Sequence, residues 1–106
     1  EKTLADASQG CDMTLELIHS GESFLTETGA LTDIISEAIT SVTGKTADLS
    51  TTGGTSDARF ISKYARVVEF GLVGETMHQV NERVRTADIE TLTEIYRKIL
   101  AAYFQA

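Results

Sequence analysis

The sequence predicts an α/β fold in which helices pack on a mixed sheet. Two stretches repeat apolar residues at helical spacing, and three short runs carry alternating or β-branched apolar residues. Glycines stand between several of these stretches, where a chain changes direction at low cost. Strands that alternate with helices favour a layered α/β architecture over a helix bundle or a β-sandwich.

Three segments are predicted as strands. Residues 13–18 nearly alternate between core-facing and polar positions, as in a partly buried strand. Residues 47–52 form a short run that ends at the paired glycines Gly53 and Gly54. Residues 67–73 are β-branched and aromatic, too short for a helix, and typical of the interior of a sheet.

A first amphipathic helix is predicted from Leu31, with Thr28 as its N-cap and Gly44 as its C-terminal stop. A short helical turn through Tyr64 follows, which either Ser56 or the next residue is able to cap. The buried stripe of the first helix consists of aliphatic residues at helical spacing, namely Ile34, Ile35, Ala38, Ile39 and Val42.

A last helix is predicted after Thr86, which we expect to cap it. Asp88 lies near its positive end, where a carboxylate is favourable. Its buried stripe is predicted to be Ile89, Leu92, Ile95, Tyr96, Ile99 and Leu100.

Composition and charge narrow the class of protein. The 106 residues are 42% hydrophobic and 24% charged, which is ordinary for one globular unit and unlike a disordered chain. Nine Lys and Arg against sixteen Asp and Glu give a net charge of -7, the wrong sign for binding nucleic acid. The single cysteine and the lack of a long apolar run lead us to expect a soluble, cytoplasmic protein without a membrane partner. Because the chain opens at Glu1 and not at Met, we also expect it to be part of a longer protein.

The first candidate site is the glycine-rich segment 51–57, TTGGTSD, between a predicted strand and a helical turn. Backbone N–H groups in such a turn can approach an anionic ligand, and the hydroxyls of Thr55 and Ser56 can add to them. The segment lacks the Gly-Lys-Ser/Thr ending of a phosphate-binding Walker loop. The alternative interpretation is a tight turn followed by an N-cap.

The second candidate is His78, which follows the predicted strand 67–73. Ligands of α/β proteins collect near the carboxyl ends of strands, so an imidazole there can reach a metal or a substrate. Glu82 is a candidate to orient the imidazole, and the alternative is that it is a solvated loop carboxylate. A zinc site needs three or four ligands, and the alternative is a surface or capping histidine. We interpret His19, which has no ligand partner at metal spacing, as structural or interfacial.

Two stretches together resemble the C-terminal portion of the succinyl-diaminopimelate desuccinylases. They are STTGGTSDARFI at 50–61 and VEFGLVGETMHQVNE at 68–82, and SGESFLT at 20–26 and ADIETLTEIYRKIL at 87–100 are also similar to that family. Acetylornithine deacetylases and other related di-zinc deacylases share the histidine, but GGTSDARFI is more particular to the desuccinylases. Ser23 stands where the family often has Pro, and Asn81 where it varies between Asp and Asn.

The resemblance implies a fold and a set of roles. The chain would be the C-terminal fragment of a zinc-peptidase-like catalytic domain. Residues 1–21 would be the tail of an inserted dimerisation domain, and residues 22–106 the returning catalytic segment. His78 would be a zinc ligand, and Gly54 and Thr55 would contact substrate.

The implied activity is that of a zinc-dependent amidohydrolase. It would cleave the amide of N-succinyl-L,L-diaminopimelate to succinate and diaminopimelate in lysine biosynthesis, with two zinc ions and as a homo-oligomer. The remaining ligands and the catalytic carboxylates lie outside this segment, so we expect the isolated chain to be inactive and to lack a tight zinc site. The alternatives are a related di-zinc deacylase such as an acetylornithine deacetylase, or a non-enzymatic anion-binding module that uses residues 53–57.

Overall fold

The computed structural model describes residues 6–7, 10–54 and 56–105. Three helices carry the regular structure over 30–103. They are α1 (Ala30–Thr43), α2 (Ala58–Ile61) and α3 (Thr86–Tyr103). The long helices α1 and α3 pack against each other, and irregular segments connect and flank them.

Helix α1 begins one residue after Gly29, so the prediction that Thr28 is its N-cap is wrong. Thr32 instead fastens the first turn: its hydroxyl accepts from the Gly29 N–H at 2.8 Å and donates to the Gly29 carbonyl at 2.8 Å. Thr32 is 5% exposed, so these bonds are well shielded from water. The helix ends as predicted at Gly44, whose φ of 69° is a left-handed value that glycine adopts without strain.

Helix α3 begins at Thr86, and its N-cap is Arg85, so the predicted cap is also wrong by one residue. No side chain caps the free N–H groups here. The Arg85 guanidinium instead donates to Asp88 at 3.0 and 2.8 Å, across the first turn. The hydrogen bond from Arg85 holds the pKa of the Asp88 carboxyl below its ordinary value, and the same bond raises the pKa of Arg85.

The hydrophobic core lies between α1 and α3. It consists of Ala38, Ile39, Ile95 and Ile99, with Ile34, Ile35, Val42, Ala47 and Phe70 packed around it. The predicted inward face of α1 is thereby confirmed. In α3 the stripe is confirmed at Ile95 and Ile99, whereas Ile89, Tyr96 and Leu100, at 45%, 42% and 55% exposed, lie outside this core.

The predicted mixed sheet is not confirmed, because no strand occurs among the described residues. Segments 13–18, 47–52 and 67–73 are irregular instead. An alternating pattern identifies a chain suited to a strand, but a strand exists only when neighbouring backbones supply its hydrogen bonds. Residues 26 and 67 are joined instead by a side-chain bond, from the Thr26 hydroxyl to the Val67 carbonyl.

The molecule is more extended than a self-contained domain. Its radius of gyration is 19.2 Å, whereas a compact domain of this length has a value of about 13 Å. Large apolar side chains are exposed on the irregular segments, including Ile18 at 86% and Leu25 at 74%. The core between the two long helices therefore covers only part of the apolar surface.

Candidate functional site

A cavity of about 540 Å³ lies where three irregular segments meet. Its walls come from residues 22–26, 48–54 and 67–69, with single contributions from Thr28, Thr32, Ser56 and Arg59. The second and third of these segments coincide with the ends of predicted strands. The cavity thus forms where sequence positions far apart in the chain approach one another.

The glycine-rich loop forms one wall of this cavity. Gly53 has a φ of 116°, a left-handed value that residues with side chains rarely adopt, and a side chain at Gly54 would meet no atom within 4 Å. The backbone at the paired glycines is therefore accessible from the cavity. Thr55 lies outside the described residues, so the structure does not describe its predicted substrate contact.

Ser56 ties the loop to both of its neighbours. Its hydroxyl accepts from the Ala58 N–H at 3.0 Å and donates to the Glu69 carboxylate. The N-cap of α2 is Asp57, and its side chain makes no capping bond. The turn continues through Tyr64, whose N–H donates to the Ile61 carbonyl at 2.9 Å. This loop is therefore a tight turn that also lines a cavity, and its role in binding a ligand stays a prediction.

Arg59 anchors the loop to the segment that precedes it. Its Nη1 lies 3.3 Å from the Ser20 hydroxyl, and its guanidinium lies 4.8 Å from the centre of the Phe60 ring. A Cβ added to Gly21 would lie 3.0 Å from Arg59 Cδ, so a larger residue at Gly21 would displace this side chain. The bond from Arg59 to Ser20 joins residues 39 positions apart, so no local sequence pattern predicts it.

The charges around the cavity are mixed. Among the described lining residues, Arg59 is the cation, and Glu22, Asp48 and Glu69 are the carboxylates. The hydroxyls of Ser50 and Thr52, 3.0 Å apart, add neutral hydrogen-bonding groups. This lining suits a ligand that carries both amino and carboxylate groups better than a simple anion.

His78 lies in a different loop, on a turn between residue 74 and α3. Its φ is 60° and that of Asn81 is 62°, both in the left-handed region. Such conformations cost about 1–3 kcal/mol each for residues other than glycine, and they concentrate at functional sites. His78 is exposed, so its ring nitrogens are accessible to a ligand.

The structure does not bring the two predicted sites together. His78 is not among the residues that line the cavity beside Gly54. The described residues contain no hydrogen bond between His78 and Glu82, so the predicted orienting role of Glu82 stays a prediction. His19 Nδ1 lies 3.7 Å from Glu22 Oε1 in an exposed position, and its structural or interfacial role stays a prediction.

Metal chemistry needs more ligands than this part of the chain supplies. Within residues 6–7, 10–54 and 56–105, no group of three or more His, Cys, Asp or Glu side chains is placed to hold a metal ion. His78 has the donor chemistry of a zinc ligand and the exposure to act as one. The described residues therefore offer a candidate donor, His78, and no complete metal site.

Comparison with known proteins identifies the class. The model of Peptidase family M20/M25/M40 matches residues 5–102, and this chain belongs to that family. Among the described residues, none of the helices combines the length and the apolar character required to cross a bilayer.

Individual relatives carry a more specific name than the family does. A succinyl-diaminopimelate desuccinylase of Rhodospirillum rubrum is 56% identical over 93 residues, which cover 88% of this chain and 24% of the relative. Proteins of the same name from a Bradyrhizobium species and from Rhodopseudomonas palustris are 61% and 56% identical over 85 residues, covering 80% of this chain and 22% of each relative. The chain thus spans less than a quarter of the length of these relatives.

Proposed function

We propose that this chain is the C-terminal part of a zinc-dependent amidohydrolase that cleaves N-succinyl-L,L-diaminopimelate to succinate and diaminopimelate. The observation that carries the proposal is the 56–61% identity to desuccinylases over at least 80% of the chain. The extended shape supports it, because a radius of gyration of 19.2 Å leaves the apolar surface for further protein to cover.

The proposal includes a division of the chain. Residues 1–21 are the tail of an inserted dimerisation domain, and residues 22–106 complete the catalytic domain, whose mixed sheet forms with strands from the rest of the protein. The contact of Gly21 with the Arg59 side chain supports a junction at this point, because it fixes the preceding segment against the glycine-rich loop. The intact protein is then a cytoplasmic homodimer.

His78 is the zinc ligand of this segment in the proposal. The imidazole donates a nitrogen lone pair and must be neutral to do so. Zinc, when bound, supplies an activated water and polarises the amide carbonyl. The left-handed backbone at His78 fixes the direction in which the side chain leaves the loop.

Gly54 and Thr55 hold the substrate in the proposal. The accessible backbone at the paired glycines supports it, since nothing lies within 4 Å of a side chain placed at Gly54. N-succinyl-diaminopimelate carries three carboxylates and one free amino group, so in the proposal Arg59 faces a substrate carboxylate and the lining carboxylates face the amino group. The alternative of a simple anion-binding module is less well supported, because the relatives at 56–61% identity are named desuccinylases.

The substrate assignment is tested with the intact protein loaded with zinc. We expect kcat/KM for N-succinyl-diaminopimelate to exceed that for N-acetylornithine by about 100-fold or more, because a site that pairs a buried polar group of its substrate rejects an analogue that lacks it. A higher value for N-acetylornithine would assign the chain to the deacetylases instead.

A separate variant tests whether the glycine-rich loop binds the substrate. Thr55→Val keeps the shape of the side chain and removes its hydroxyl, so we expect kcat/KM to fall by about tenfold, the equivalent of one hydrogen bond. Thr46→Val is the matched control, since Thr46 is an exposed threonine in the segment before this loop and does not line the cavity. Equal kinetics for both variants would make the loop a structural turn.

A further inference from the structure

The loop that carries His78 is closed by one side chain. The Thr76 hydroxyl donates to the Arg83 carbonyl at 2.7 Å and accepts from the Arg83 N–H at 3.0 Å. A single hydroxyl therefore satisfies both backbone groups of a residue seven positions further along the chain. Thr76 is half-buried, whereas the residues around it in the loop are exposed.

The two left-handed residues lie within this closed loop. His78 and Asn81 both fall between the two residues that the hydroxyl joins. Left-handed backbone at residues other than glycine persists only when the surrounding structure determines it. Turn hydrogen bonds from Met77 to Gly74 and from Gln79 to Thr76, both 3.1 Å, complete the framework of the loop.

We propose that Thr76 is a positioning residue for His78: its hydroxyl closes the loop and thereby holds the imidazole in the direction needed to bind zinc. The inference rests on the proposed function of His78 as a zinc ligand. Thr76 itself does not touch the metal or the substrate. Without the closure, the loop would sample other backbone conformations, and the imidazole would spend less time in the binding direction.

Two substitutions at Thr76 separate the hydroxyl from the rest of the side chain. Thr76→Val keeps the size and branching but removes both hydrogen bonds, whereas Thr76→Ser keeps the hydroxyl. Thr93→Val is the matched control, because it makes the same substitution at an exposed threonine away from the loop. The Thr93 hydroxyl donates to the Ile89 carbonyl of its own helix at 2.8 Å. If Thr76→Val does not fold, Thr76→Ala makes the same comparison.

The experiment measures zinc affinity of the intact protein by calorimetry against a competing chelator, with thermal unfolding of the metal-free protein alongside. We expect Thr76→Val to weaken one zinc site by about 10- to 100-fold, the range found when a group that orients a metal ligand is removed. Thr76→Ser should stay within about threefold of the original affinity, since its hydroxyl can make the same bonds. The melting temperature of the metal-free Thr76→Val protein should match that of Thr93→Val.

The results distinguish this inference from the function on which it rests. If His78→Ala weakens zinc binding and Thr76→Val does not, the positioning role is refuted and the zinc role of His78 stands. If His78→Ala leaves both zinc sites unchanged, the ligand assignment itself is refuted, and the positioning role with it. A loss of affinity in Thr76→Val that Thr76→Ser shares would show that the hydroxyl is not the responsible group.

Discussion

Truncating Ile95 is predicted to destabilise the core between α1 and α3 severely. Ile95 is 3% exposed and lies in the cluster with Ala38, Ile39 and Ile99. Ile95→Ala deletes three buried carbon atoms, worth about 0.8 kcal/mol each as lost transfer free energy. The truncation also leaves a small void in the core that the neighbouring side chains fill only in part. We therefore expect the free energy of unfolding to fall by about 3 kcal/mol in total, within the range for such substitutions.

The assay is urea unfolding followed by far-ultraviolet circular dichroism, which reports the two long helices. Leu100→Ala is the matched control, because Leu100 lies in the same helix and is 55% exposed. Less than half of the Leu100 side chain is removed from water, so Leu100→Ala should lower the free energy of unfolding by about 1 kcal/mol. Equal losses for the two variants would refute the assignment of the core to this helix pair.

Two further predictions concern the loop and the start of α3. Asn81 has a φ of 62°, in the left-handed region. Asn81→Gly should therefore preserve the zinc affinity of the intact protein. Asn81→Val should lower that affinity about 5- to 30-fold, because left-handed backbone costs a β-branched residue about 1–2 kcal/mol. Calorimetry checks this, and equal affinities would contradict it. The Arg85 pair lowers the pKa of Asp88, so its stabilisation is present above the ordinary pKa of 3.8 and is lost as pH falls through the lower folded value. The melting temperature of Asp88→Asn should therefore lie below that of the original protein at pH 6 and approach it near pH 2, and a difference that does not depend on pH would count against the pair.

The helices could be predicted from the sequence because their signals are local. The spacing of apolar residues identified the inward face of α1, and Gly44 marked its end through a conformation that glycine adopts without strain. The N-caps were each displaced by one residue. At both helix starts the cap is a residue without a capping hydroxyl, and the first turn is fastened from within the helix, by Thr32 in α1 and by Asp88 in α3.

The sheet could not be settled in the same way. Residues 67–73 have the composition of a buried strand, but composition does not supply the neighbouring backbone that a strand requires. In this structure Phe70 packs on the helix pair instead, and its carbonyl accepts a hydrogen bond from the Tyr96 hydroxyl at 2.6 Å. The mixed sheet remains a proposal for the intact protein.

The sequence singled out both candidate sites but not the groups that hold them. His78 and the glycine-rich loop stand out by residue type and by the chemistry they can perform. Thr76 bonds to Arg83, seven residues further on, and Arg59 bonds to Ser20, 39 residues earlier. Neither spacing belongs to the repeating pattern of a helix or a strand. Supporting residues of this kind become visible only when the folded backbone is known.

The zinc content of the intact protein tests the central claim most directly. Original protein and His78→Ala are purified identically, dialysed against the same weak chelator, and measured by elemental analysis together with turnover of N-succinyl-diaminopimelate. We predict two zinc ions per chain in the original protein and about one in His78→Ala, with kcat/KM lower by about 100-fold or more, since removing a ligand costs no less than removing a group that orients one. Two zinc ions and unchanged turnover in His78→Ala would contradict the account.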